Sequence, residues 1–164
     1  MKKLVAATTC SLLLTGAASA DLYGNASYGF TESEFANRDF DTPTLNLAIG
    51  NTFTPYIAAE ARLGLGVGDD SDNGLKAEIE EYFAVYAKPM LPLNDVLSLY
   101  GLLGIAETSV DTNFGDEDDD DISYGIGLSA KTRHGVDLFG EYVSLYDDDS
   151  VEIKGFNLGA SMRF

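Results

Sequence analysis

His134 is the only histidine among 164 residues, and it is the one side chain whose ordinary titration range suits general-base work near neutral pH. A hydrolytic triad needs a hydroxyl or thiol nucleophile and an orienting acid within hydrogen-bond reach of that base. His134-Gly135-Val136 brings no hydroxyl behind it and reads as part of a short turn, so no catalytic residue is assigned. Gly64 to Gly68 alternate at the end of a strand pattern and open no helix, so they fail the context of a phosphate-cradling loop. No cofactor is implied.

Carboxylates are the abundant reactive groups: 27 Asp and Glu stand against 10 Lys and Arg, a net charge of -17. Such a balance excludes a nucleic-acid binder, because phosphate neutralisation requires a surplus of cations. Asp69-Asp70-Ser71-Asp72-Asn73-Gly74, with Glu80 completing the spacing, approximates a calcium-binding helix-loop-helix loop, but Lys76 stands where an apolar residue belongs and no helix flanks it. Asp116, Asp118 and Asp120, with Asp147 and Asp149, are the weak candidates for holding divalent cations through oxygen ligands. Carboxylate number alone does not preorganise a site, so these runs read first as a solvated, mutually repelling surface.

The elements that carry these groups are strands. Residues 1–20 combine Lys2 and Lys3, an apolar stretch through Leu14 and the ending Ala18-Ser19-Ala20, the pattern of a cleaved secretory signal peptide. Its removal takes away both lysines and no acid, which moves the net charge to -19, and it takes the sole cysteine, Cys10. An exported domain over 21–164 must then hold itself together without disulfides or thiolate metal sites. No apolar run beyond residue 20 approaches the ~20 residues of a membrane helix. A period of two recurs instead. Leu22, Gly24, Ala26, Tyr28 and Phe30 alternate with Tyr23, Asn25, Ser27 and Gly29, and the same grammar predicts strands over 44–53, 56–66, 77–87, 97–107, 121–131, 135–146 and 151–164. Eight strands of about 10 residues suit a tilted transmembrane β-barrel, which needs ~9–11 residues per crossing and starts at eight strands. Short connections at Thr54-Pro55, Lys88 to Asp95 and Thr132 to His134 alternate with longer ones at 31–43, 67–76, 108–120 and 146–150. The fold class expected is an all-β, eight-stranded, antiparallel up-and-down barrel.

Leu99-Tyr100-Gly101-Leu102-Leu103-Gly104, Ser123-Tyr124-Gly125-Ile126-Gly127, Phe139-Gly140-Glu141-Tyr142 and the ending Gly155 to Phe164 carry a resemblance. The chain resembles the small eight-stranded outer-membrane β-barrel family, which includes outer membrane protein X and the OmpA transmembrane domain. That resemblance implies the cell outer membrane of a Gram-negative bacterium, a monomer, and contacts with outer-membrane lipid and lipopolysaccharide. It also implies that Phe156, Leu158, Ala160, Met162 and the terminal Phe164 form the signal for the outer-membrane assembly machinery. Some members of the family modify lipid A with a histidine, a serine and an acid; the placement of His134 argues for a non-enzymatic, structural or surface-interaction role. A soluble, lipocalin-like periplasmic carrier, which is also eight-stranded, is the other alternative.

Charge placement orients the wall. Glu60, Arg62, Lys131, Asp137, Glu141 and Arg163 share the register of glycines and small hydroxyls. A midplane Lys or Arg facing lipid costs ~2–4 kcal/mol, so these side chains are expected inside. Glu60, Arg62, Glu141 and Arg163, joined by Glu78 or Glu80, are expected to form a buried ionic network that plugs the barrel. Glu81 in the lipid register and Phe139 in the interior register break the pattern. Tyr28, Phe30, Phe53, Tyr56, Tyr82, Tyr142, Tyr146 and Phe164 fall where aromatic girdles belong. The four longer connections, with the third taken as 107–121, hold 18 of the 27 acids against Arg38 and Lys76, so the acidity is expected to crown the extracellular end.

Overall fold

The computed structural model describes residues 21–35, 38–67, 77–112, 115–133, 135–148 and 151–164, with side chains placed in all of these except 32–42, 77–80, 108–121, 146–148 and 151–152. Eight antiparallel strands close into one barrel in chain order: β1 (Asp21–Phe35), β2 (Arg38–Thr54), β3 (Ile57–Gly66), β4 (Ala77–Pro92), β5 (Leu97–Thr112), β6 (Gly115–Lys131), β7 (Val136–Asp148) and β8 (Val151–Arg163). β8 pairs with β1, and Phe164 N–H donates to the Leu22 carbonyl at 2.9 Å, which closes the ring. Paired residues followed once around the wall run Leu22, Asn51, Ala59, Ala87, Leu103, Tyr124, Ser144, Lys154 and Glu32, which lies on β1 ten residues above the start. That stagger is what tilts the strands by ~35–45°.

Alternation sends the two residue sets where the two solvents need them. Leu47, Ile105, Ile122, Ile126, Leu138 and Leu158 are exposed on the outer wall, with Ile122 at 68%. A continuous exposed apolar surface of this kind has no place in water and every place in hydrocarbon, where a closed ladder leaves no backbone group unpaired. The soluble-carrier alternative is overturned by this inversion. Inside, Tyr82, Ala84, Tyr86, Tyr100, Leu102 and Val143 build an apolar cluster beside buried Asn25, Ser27, Thr31, Thr44, Asn46 and Asn157.

Several strands run further than apolar alternation indicates. Residues 31–35, 38–43, 108–112 and 115–120 belong to β1, β2, β5 and β6, so the described parts of the first and third expected loops are strand ladders. Backbone groups pair whatever the side chains carry, and the apolar signal stops where the lipid stops. β4 continues to Pro92, which moves Lys88 from an expected turn into the wall. The short turns are held locally. Asn94 Oδ1 accepts from the N–H groups of Val96 (2.9 Å) and Leu97 (2.7 Å), Thr54 Oγ1 accepts from Tyr56 N–H, and Gly135 opens β7 at a φ of 77°, a left-handed conformation that suits glycine. Tyr56 joins Pro55 in the β2–β3 turn, one residue later than expected.

Candidate functional site

The polar groups of the interior converge on one guanidinium. Arg62 on β3 is 1% exposed; its Nη2 donates to Glu60 Oε1 at 2.6 Å, its Nε to the same oxygen at 3.2 Å, and its Nη1 to Glu141 Oε1. Glu60 and Arg62 share the inward face of β3 because they are two residues apart. Glu141 comes from β7, which stands opposite β3 in a ring of eight, so the interaction spans the barrel's diameter.

Each carboxylate is saturated by further donors. Glu60 Oε2 accepts from Tyr23 Oη (2.9 Å), Asn25 Nδ2 (3.2 Å) and Lys88 Nζ (3.0 Å). Glu141 accepts from Tyr100 Oη (2.8 Å) and Asn157 Nδ2 (3.1 Å). Asn157 Oδ1 accepts from Asn46 Nδ2, and Asn46 Oδ1 from Tyr82 Oη at 2.7 Å, which extends the chain towards the acidic end. Two carboxylates, one guanidinium and one ammonium sum to zero charge. Buried ions persist only when paired and hydrogen-bonded in this way.

Interior aromatics are seated by glycines across the ladder. Tyr23 faces Gly50, Tyr82 faces Gly64, Tyr100 faces Gly127 and Phe139 faces Gly159, and in each pair a Cβ on the glycine would strike the ring. Phe139 thereby belongs to the interior, where it is buried. Tyr82, expected in a girdle, is corrected to the interior: it continues the inward set Tyr82, Ala84, Tyr86. Tyr28, Phe30, Phe53, Tyr56, Tyr142 and Phe164 do face outward.

Of the residues expected in the ionic network, the barrel brings together Glu60, Arg62 and Glu141. Arg163 is corrected: it is the last residue of β8, opposite Tyr23 at the rim, 49% exposed at its side chain, and its guanidinium pairs with Asp137. The Glu78 and Glu80 side chains lie outside the described residues, and the β4–β5 register shifts between Ile79 and Glu81. Glu81 is exposed on the outer wall just beyond that shift. Lys88 is the member that sequence reasoning missed. The signal was present, since the two-residue period Tyr82, Ala84, Tyr86 continues to Lys88 and Met90, but Lys88-Pro89 resembles the start of a turn.

His134 and Asp149 lie outside the described residues, as do the side chains of Asp116, Asp118, Asp120 and Asp147. Their backbones place Asp116, Asp118 and Asp120 on β6 and Asp147 on β7. At the other end Phe156, Leu158, Met162 and Phe164 face outward along β8, and Ala160 shares their register.

A closed eight-stranded ring with an apolar exterior and an ionic interior defines a transmembrane β-barrel of the outer-membrane type. The chain belongs to the outer membrane protein beta-barrel domain family, whose model matches residues 4–164, and its place is the outer membrane of a Gram-negative cell. Among solved structures it is similar to Ail, the attachment invasion locus protein of Yersinia pestis, at 20% identity and a TM-score of 0.66 over 88% of this chain and 99% of that one. One Ail structure is a complex with the heparin analogue sucrose octasulfate. Neisserial surface protein A is similar at 15% identity and a TM-score of 0.60, covering 88% of this chain and 97% of that one. The outer membrane protein AlkL is similar at 13% identity and 0.58, covering 88% and 90%. No curated protein matches the chain in sequence.

Proposed function

We propose that the mature protein is a non-enzymatic, monomeric barrel, plugged by its interior network, that works as a structural and surface-interaction protein through an acidic outer end. The pairing of Arg62 with Glu60 on its own wall and Glu141 on the opposite wall carries the plug, because it sets fixed side chains across the path a solute needs. An eight-stranded barrel leaves little more room than side chains fill. Closure of the ring within one chain supports the monomer. Residues 1–20 act as the cleaved export signal, and the outward row from Phe156 to Phe164 serves recognition by the assembly machinery.

The outer end would contact divalent cations, lipopolysaccharide or basic partners. Of the 18 acids in the four hairpin regions, 14 lie at strand ends on the side opposite both chain ends. A surface of that sign repels a polysulfate, so sucrose octasulfate, which Ail holds, should not bind here.

Planar-bilayer recording tests the plug: purified wild-type protein should give no sustained conductance, and steady open channels would overturn it. Binding of reconstituted protein to immobilised polylysine, lost at high salt, tests the acidic face. Equal binding to immobilised heparin would sink it.

A further inference from the structure

Lys88 is held as a bound ligand would be held. Its Nζ lies 3.0 Å from Glu60 Oε2, 4.2 Å from the centre of the Tyr100 ring and 5.3 Å from that of Tyr23. A carboxylate with two aromatic faces is a composition that selects an organic ammonium, through charge, N–H donation and ring quadrupoles together.

We propose that Glu60, Tyr23 and Tyr100 form a binding site for a primary alkylammonium, occupied in the resting protein by the side chain of Lys88 acting as a tethered ligand.

Three features make the site independent of its occupant. Arg62 fixes Glu60 through Oε1, which leaves Oε2 aimed at the ammonium position. The two tyrosines are anchored through their hydroxyls, Tyr23 to Glu60 and Tyr100 to Glu141, and each ring is seated on a cross-strand glycine. Without Lys88 the network holds two carboxylates against one guanidinium, so a buried net negative charge calls for a cation. Access exists on the lysine's side: the Lys88 side chain is 11% exposed, whereas those of Glu60 and Arg62 are 0% and 1%. Lys88→Ala removes the atoms of one n-propylammonium ion, which names the probe.

The test is urea unfolding of refolded Lys88→Ala barrels in micelles, with n-propylammonium chloride, sodium chloride or 1-propanol at equal concentration. The expected result is a lowered midpoint of which n-propylammonium alone restores at least half, saturably, while wild type and Lys88→Met do not respond. Equal effects of the three additives, or an equal response in wild type, would overturn the proposal. Should Lys88→Ala not refold, proton NMR of the wild-type barrel decides. The Lys88 ε-methylene should be shifted upfield by the rings and return towards the ordinary lysine position in Tyr100→Leu; an unshifted wild-type signal overturns the proposal.

Discussion

Phe139 on β7 lies over Gly159 on β8, its direct partner in the ladder, and the ring occupies the space a Cβ at 159 would need. The pair explains how a large apolar residue enters a wall register otherwise given to Asp137 and Glu141. A side chain at residue 159 has nowhere to go, because the Ala26 carbonyl and the Ser27 Cβ close the site from the β1 side. Gly159→Val should therefore lower the urea midpoint by an amount corresponding to about 1–3 kcal/mol, the range of overpacking. Phe139→Ala combined with Gly159→Val should cost less than the sum of the two single changes. Strict additivity would show that the two side chains do not compete for one space.

Arg62 is the hub of the interior, and its loss leaves two buried carboxylates with one ammonium between them. Arg62→Ala should destabilise the barrel by about 3–5 kcal/mol, the range for breaking a buried pair from one side. Arg62→Ala with Glu141→Gln should be more stable than Arg62→Ala alone, because the second change removes one uncompensated charge. Unfolding of the two refolded variants in the same detergent compares them directly.

The lipid-facing wall gives a depth series on one strand. Ile126 is placed well inside the apolar belt, and Ile122 stands next to Asp121 at its acidic border. Ile126→Arg should cost about 2–4 kcal/mol in vesicles, and Ile122→Arg about 0–1 kcal/mol. The contrast should shrink in small detergent micelles, which offer no fixed bilayer depth. Equal penalties at both positions in vesicles would mean that the belt is misplaced along the strand.

Closure, strand number and the two faces were legible in the sequence because a period of two is forced wherever one wall separates hydrocarbon from a packed interior. Glu60, Arg62 and Glu141 could be grouped because ions in that register have only one another as partners. Lys88 could not, since Pro89 ends the apparent strand one residue too early. Arg163 was misassigned for a related reason: register tells which face a side chain is on, but not its depth. Tyr82 shows the limit in another form, as tyrosine suits both a membrane interface and an interior with a polar partner, and only the presence of Asn46 one strand beyond Gly64 decides.

The most conspicuous discrepancy, the ladders that extend into the first and third expected loops, places like charges opposite one another. Glu32 faces Asp41, Glu34 faces Asp39 and Glu152, Glu78 faces Asp111, Glu107 faces Asp120, Asp111 faces Asp116 and Asp147 faces Glu152. One of these positions also has a basic partner, Glu32 opposite Lys154. Like charges directly across a ladder are destabilising by a few tenths of a kcal/mol each or more. The repulsion acts over about 5 Å between paired residues, shorter than the ~10 Å screening length at 0.1 M salt and longer than the ~3 Å length at 1 M. Raising salt across that interval should therefore consolidate the outer hairpins and leave the shielded membrane wall unchanged. Amide exchange in 107–112 and 115–121 should slow several-fold between about 0.1 M and about 1 M sodium chloride, the conditions that set those screening lengths. Exchange at Gly101 to Gly104 should not move. Replacing Asp116 and Asp120 by asparagine should abolish most of the salt effect in these segments, because it removes the facing charge from Asp111 and Glu107 without altering the backbone pairing. A salt response that survives both substitutions would place its origin outside this ladder.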